Sequence, residues 1–124
     1  MQRENYQVVS DKFIDYYYHQ WNTNYPLIKN LYSGNVCITY FGNKYNNFDN
    51  VLQYLITNKV NKLDFNNFKS FAQPLGDDKI LIHILGSVCT NGNIFYRKFS
   101  EIIILQRDIW NKYYIINNIF SLVD

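Results

Sequence analysis

The chain is short of the residues that punctuate a fold and of those that bind metals. Its 124 residues include 2 prolines, 5 glycines, 2 cysteines, 1 methionine and 2 histidines. Cys37 and Cys89 form no CxxC pair and have no histidine cluster beside them. That argues against a zinc site or a disulfide framework and fits free thiols in a reducing compartment. Charge is modest: 12 basic and 10 acidic residues, net +2, scattered without a like-charged block. Electrostatics therefore supplies neither a nucleic-acid tract nor a polybasic membrane anchor. No apolar run approaches the roughly 20 residues of a membrane span, and the opening MQRENYQ is polar. An intracellular, soluble protein is expected, with no direct nucleic-acid contact and no membrane insertion. Glycine-rich phosphate loops, nucleophile elbows, HExxH and calcium loops are missing, which removes those chemistries. With no repeat, linker or low-complexity tail, residues 1–124 are expected to form a single domain.

Apolar and aromatic residues are abundant. The composition is 48% hydrophobic and 19% aromatic, with 12 tyrosines and 9 phenylalanines, enough for a real core. The stretch from Lys98 to Val123, KFSEIIILQRDIWNKYYIINNIFSLV, reads as two strands, roughly Phe99 to Gln106 and Trp110 to Phe120, joined through Arg107 and Asp108. Alternation places Phe99, Glu101, Ile103 and Leu105 on one face and Ser100, Ile102 and Ile104 on the other. In the second strand it groups Tyr113, Ile115, Asn117 and Ile119, against Tyr114, Ile116, Asn118 and Phe120. Both faces are largely apolar, so each needs a cover: helices of the chain on one side, and on the other a second protein or a sheet curved over itself. The surface formed by Ile102, Ile104, Tyr114, Ile116 and Phe120 is the expected dimer interface.

Upstream, Tyr6, Val9, Phe13, Tyr16, Tyr17 and Trp21 recur at helical steps between Arg3 and Trp21. Pro26 opens a second short helix through Leu31. Asn35 to Phe41 (NVCITYF) is a strand, and Asp49 is expected to cap a helix carrying Val51, Leu52, Leu55 and Ile56. Lys62 to Gln73 is strand-like with a bulge near Asn66 and Asn67, and Lys79 to Thr90 (KILIHILGSVCT) suits a central strand. The fold class is therefore α+β, a bent antiparallel sheet with three helices packed on one face.

This order of elements resembles the nuclear transport factor 2 family over nearly the whole chain. FIDYYYHQW, Phe13 to Trp21, looks like the family's first-helix signature. LYSGNVCITYFG, Leu31 to Gly42, resembles its helix-to-strand passage, ending in an aromatic, a variable residue and glycine. LGSV at Leu85 to Val88 and NNIFSL at Asn117 to Leu122 resemble its later strands. The resemblance implies a cone with a hydrophobic cavity that dimerises through its sheet and works in traffic through nuclear pores, between nucleus and cytoplasm. In the import branch, a homodimer carries the GDP form of the small GTPase Ran and touches Phe-Gly nucleoporins. In the export branch, a related subunit pairs with a domain of the same fold in a large mRNA export receptor.

The import branch places acids in the turn after the first strand and in the loop before the penultimate strand, where they answer basic residues of Ran. The equivalent positions here are Phe41 and the loop Thr90, Asn91, Gly92, Asn93, with no carboxylate between Asp78 and Glu101. A charge-assisted contact contributes roughly 1.5 to 3 kcal/mol, so losing several weakens binding by orders of magnitude. Tyr40 and Phe120 match cavity-lining positions. Tyr6 aligns with the aromatic that lines the import branch's Phe-Gly site. LGSV and the Asn-Gly-Asn loop favour the export cofactor type, although Ser121 stands where an arginine often meets the partner subunit.

The same fold hosts isomerases and dehydratases that use a cavity carboxylate or histidine beside a tyrosine donor. Candidates are Asp15, His83, Glu101 and the tyrosines around Tyr16. His83, among Ile80, Leu81, Ile82 and Ile84, reads as a satisfied strand histidine, and His19 as a solvated helix-end residue. Glu101 reads as a cavity acid, a partner of Arg97 or Lys98, or an interface residue. A non-enzymatic transport adaptor without cofactor is expected, the Ran-GDP carrier being the alternative and a cavity enzyme the remote one.

Overall fold

The structure, a computed structural model, describes residues 5–92 and 95–123. Helix α1, Asn5–Thr23, is followed by a 3-10 helix at Tyr25–Leu31. Strand β1 (Tyr32–Tyr40) turns into the short β2 (Asn43–Tyr45), and helix α2 spans Phe48–Thr57. Four long strands complete the chain: β3 (Leu63–Leu75), β4 (Lys79–Thr90), β5 (Arg97–Arg107) and β6 (Tyr113–Leu122). They form one bent, unclosed six-stranded sheet in the order β2-β1-β6-β5-β4-β3. Neighbours are antiparallel except β1 and β6, which pair parallel. That makes the sheet mixed. The parallel pair is possible because α2 and the β3–β5 meander intervene, giving the long connection such strands require.

The α+β architecture with three helices is as the sequence indicated, and the helices cover the sheet's inner face. Tyr17, Tyr18 and Trp21 of α1 are buried in the core, with Tyr18 against Phe65 and Phe99 and Trp21 against Phe65 of the sheet. Val51 and Leu55 of α2 close the other end of that core. The cap of α2 is Asn47, whose side chain accepts from the Asn50 amide at 2.9 Å, so Asp49 sits in the first turn instead. An Asn at the N-cap serves as well as an Asp, and local spacing did not separate the two.

Two register shifts decide which side chains look inward. The first lies in β3 between Asn66 and Lys69, with Asn67 at φ 51°, where alternation in the sequence breaks. It drives the β3 backbone towards β4 at Gly86, whose missing Cβ would stand 2.8 Å from Phe68 Cβ. The second is in β6, where Ile104 opposes Asn117 and Leu105 opposes Ile115, leaving Ile116 as the extra residue. Past it the alternation flips. Phe120 therefore shares the inner face with Ile115 and is only 2% exposed, which removes it from the expected dimer interface. Asn118 turns inward with it, and Ile119, 45% exposed, takes the outward position.

Candidate functional site

A cavity of about 350 Å³ opens between α2, the end of the β4–β5 hairpin and β6. Phe41, Tyr54, Val60, Leu63, Phe120 and Leu122 form much of its apolar wall. Phe41 reaches it from the β1–β2 turn, where it adopts φ 53° before Gly42 at φ 80°. Two consecutive left-handed residues make the two-residue hairpin turn that a right-twisted ribbon prefers. A bulky residue there is strained, and such strain concentrates at functional positions. The ring stacks on Tyr54 at 5.7 Å and meets Phe120 edge-on at 5.4 Å. Among the described residues that line this cavity, none is a carboxylate, and the one charged side chain is Arg97.

The residues matched to cavity and Ran-site positions separate in space. Phe41 and Phe120 line the cavity together. Tyr40 does not: it is buried in the core, stacked on Phe120 at 5.0 Å, with its hydroxyl 3.2 Å from that of Tyr17. Asn91 is tied to the α2–β3 loop, its Oδ1 accepting from the Asn61 amide at 2.6 Å and the Lys62 amide at 3.1 Å. Its Nδ2 donates to the Lys59 carbonyl. Asn93 lies outside the described residues.

Away from the helices, the registers align apolar side chains in rows across the sheet. Phe71, His83, Ile102 and Ile119 form one row, and Gln73, Leu81, Ile104 and Asn117 the next. Leu85 and Tyr114 extend the surface on either side. Phe71 and Leu85 are 57% and 42% exposed, so this face stays uncovered within the chain. Contiguous exposed apolar patches on monomeric proteins are uncommon and are often interaction surfaces. Of the residues expected at the interface, Ile102, Ile104 and Tyr114 lie on this side of the sheet, each partly buried, and Ile116 is the bulge residue between Ile115 and Asn117. Phe71, Leu81 and Leu85 were missed, although the strict alternation of β4 pointed outward at Leu81, His83 and Leu85. His83 Nε2 is 3.1 Å from Ser100 Oγ, a partnered position on an open face without a second ionisable side chain hydrogen-bonded to it.

Tyr6 sits half-buried at the opposite end of the cone from the cavity loops. It lines a groove of about 350 Å³ with Pro74, Gly76, Asp77, Lys79 and Tyr113. An open depression beside it shares Tyr113 and Arg107 and ends at the β5–β6 turn, where Ile109 and Trp110 are 85% and 74% exposed. Asp108 holds that turn by accepting from the amides of Trp110 and Lys112, each at 2.9 Å.

Glu101 is fully buried under α1. Its Oε1 accepts from the Tyr18 hydroxyl at 2.6 Å; its Oε2 accepts from Tyr17 at 2.7 Å and Asn118 Nδ2 at 2.8 Å, with Tyr40 at 3.4 Å. Burial raises the carboxyl pKa, and the hydrogen bonds from Tyr17, Tyr18, Asn118 and Tyr40 pull part of it back. Desolvation first, and then the Glu101 charge, push Tyr17, Tyr18 and Tyr40 well above an ordinary phenol. An acid ringed by tyrosines is the chemistry of a cavity enzyme, but Glu101 lines none of the cavities above. Asp15 and Tyr16 are exposed on the far side of α1, and His19 is exposed near its end, so the structure does not bring the catalytic candidates together. Among the described residues, no group of three His, Cys, Asp or Glu side chains is placed to hold a metal ion, and no helix is long and apolar enough to cross a membrane.

Comparison with known proteins agrees with this geometry. The chain is 24% identical over 119 residues to nuclear transport factor 2 of Saccharomyces cerevisiae, covering 95% of this chain and 94% of the relative. Nuclear transport factor 2 from Cryptosporidium parvum superposes with a TM-score of 0.85 at 19% identity, covering 96% and 95% of the two chains. A putative scytalone dehydratase from Novosphingobium aromaticivorans superposes at 0.77 with 7% identity, over 98% of this chain and 89% of that one. The last likeness is one of fold alone. Residues 9–122 match the family described as the Nuclear transport factor 2 (NTF2) domain, and the chain belongs to that family.

Proposed function

We propose that the protein is a non-enzymatic nucleocytoplasmic transport adaptor of the mRNA export cofactor type, pairing through its outer sheet face with a domain of the same fold. The observation that carries this reading is the cavity's electrostatics. Where a Ran-type partner would need carboxylates to meet its basic residues, the described residues of the lining hold none and include Arg97. Phe41 occupies the turn position, and the side chain of Asn91 is engaged within the chain. The apolar outer face supplies the docking surface, and an interface of standard size would bury about 1,600 Å² in total. Nuclear naming of the curated relatives supports the compartment, nucleus, nuclear pore and cytoplasm. On this reading the groove at Tyr6 engages Phe-Gly nucleoporins. The non-enzymatic part rests on Glu101, whose oxygens are both occupied by donors and lie under α1.

The test is calorimetry of the folded chain against Ran loaded with GDP, with Ran loaded with a GTP analogue as control, and against the same-fold domain of the large mRNA export receptor. The expected result is binding to the receptor domain and none to Ran. GDP-selective binding to Ran at micromolar affinity or tighter would replace this reading with the homodimeric import carrier.

A further inference from the structure

The β5–β6 turn holds an apolar pair in solvent through a dense set of hydrogen bonds. Asp108 Oδ1 accepts from the amides of Trp110 and Lys112, each at 2.9 Å. The Asp108 amide donates to the Lys112 carbonyl at 2.8 Å, and its carbonyl accepts from the Asn111 amide at 3.1 Å. Asn111 completes the turn at φ 64°, a left-handed value that asparagine tolerates. The tip is therefore well bonded, yet it projects Ile109 and Trp110 outward with 85% and 74% of their surfaces exposed. Burial of such side chains drives folding and association, so a bonded turn that keeps both in water points to a partner outside the chain.

Shape and composition limit that partner. The tip is a hairpin end offering two apolar side chains, well below the roughly 800 Å² per partner of a standard protein interface. A bilayer surface demands no complementary pocket, and tryptophan, with an apolar ring and one N–H donor, is favoured at the boundary between headgroups and acyl chains. Cations flank the pair: Lys112 follows it, exposed, and Arg107 ends β5 just before the turn. Side chains of this kind lay their stems along apolar surface and keep their charged heads among polar groups. The acids beside the turn are engaged within the chain, Asp108 by the turn amides and Asp78 by Lys79 at 3.9 Å and Gln106 Nε2 at 2.9 Å. We propose that the β5–β6 tip inserts Ile109 and Trp110 into the interfacial zone of a lipid bilayer, as a weak and reversible anchor. The sequence expectation of no membrane insertion rested on the lack of a span-length apolar run, and two residues at a turn lie far below that signal. This anchor stands independently of pairing through the outer sheet face.

Intrinsic fluorescence reads the tip directly, because the chain has 2 tryptophans and the other, Trp21, is only 1% exposed. The chain is titrated with phosphatidylcholine vesicles, with and without phosphatidylserine, and with vesicles whose acyl chains carry bromine. The expected result is a blue shift of the Trp110 emission and its quenching by the brominated chains. Both should be half-complete at roughly 1 mM lipid, weaker than the about 0.1 mM of a single myristoyl anchor. Co-sedimentation with vesicles should survive Trp110→Phe, which silences the reporter and keeps an aromatic tip. It should fall about tenfold or more in Ile109→Ser combined with Trp110→Ser, which removes the apolar surface that drives insertion. These substitutions alter exposed side chains and leave the Asp108 bonds in place. Emission unmoved by vesicles at about tenfold higher lipid overturns the proposal. So does sedimentation that persists in the double serine variant, since lipid would then bind elsewhere. A shift produced by a Phe-Gly peptide and by no vesicle also overturns it, and assigns the tip to the groove at Tyr6.

Discussion

Tyr18 and Glu101, 83 positions apart in the chain, are joined by a 2.6 Å hydrogen bond that ties the first helix to the middle of the sheet. The bond is buried, and Oε1 has no other donor among the described residues. Tyr18→Phe therefore leaves one oxygen of a buried acid unsatisfied. The expected loss is about 1.5–3 kcal/mol in urea unfolding, the range for hydrogen bonds to charged groups. Tyr40→Phe, whose hydroxyl is 3.4 Å from Oε2, should cost less. Equal losses would mean that the ring contacts, not the carboxylate bonds, hold α1 in place.

The same acid gives stability a pH dependence with a definite sign. Burial raises the Glu101 pKa in the folded state, so the folded chain holds that proton more tightly than the unfolded chain. The contribution is complete below the ordinary glutamate value and is lost as pH rises through the raised folded value. The difference in unfolding free energy between the wild type and Glu101→Gln should accordingly fall as pH rises from about 4, the ordinary glutamate range. A difference that climbs with pH would show that the four donors outweigh burial.

Gly86 is required by a close approach. A Cβ at this position would stand 2.9 Å from the Phe68 Cα and 2.9 Å from Phe99 Cε2, and the backbone atom cannot turn aside. Gly86→Ala is expected to cost about 1–3 kcal/mol, as overpacking does. An unchanged unfolding midpoint would mean that the β3 bulge shifts freely.

Asn91 was matched to a partner-binding position, but its bonds predict a structural role. Asn91→Ala removes the acceptor of the Asn61 and Lys62 amides, so hydrogen exchange at those two amides should accelerate. Stability should drop by about 1–2 kcal/mol, and pairing through the sheet face should be unaffected. Unaltered exchange would refute the assignment.

The sequence made most elements legible because their signals are local. Helical spacing from Tyr6 to Trp21, Pro26 at the start of a turn and the apolar run of β4 each depend on neighbours within a few residues. The bulge near Asn67 showed itself in the broken alternation between Phe65 and Phe68. The bulge at Ile116 did not, because YYIINNIF is apolar or polar in pairs and reads equally well in either phase. A one-residue slip sends every later side chain to the other face, and for that reason Phe120 was placed outside and Ile119 inside. The Glu101 cluster was hidden for a different reason. Its members come from α1, β1, β5 and β6, and only the packed sheet brings them together. Likewise, the Phe41-Gly42 turn was visible as a pattern, but the left-handed strain that aims the ring into the cavity was not.

In the proposed reading the outer sheet face is an assembly surface distinct from the core. The most direct measurement adds Ile104→Glu and follows two quantities on one sample: thermal unfolding of the chain alone, and its co-sedimentation with the same-fold domain of the export receptor. Ile104 is only partly buried, so the melting midpoint should shift by no more than a few degrees, the change expected for roughly 1 kcal/mol in a domain of this size, while co-sedimentation is lost. Co-sedimentation that persists, or a midpoint that collapses together with assembly, would contradict the account.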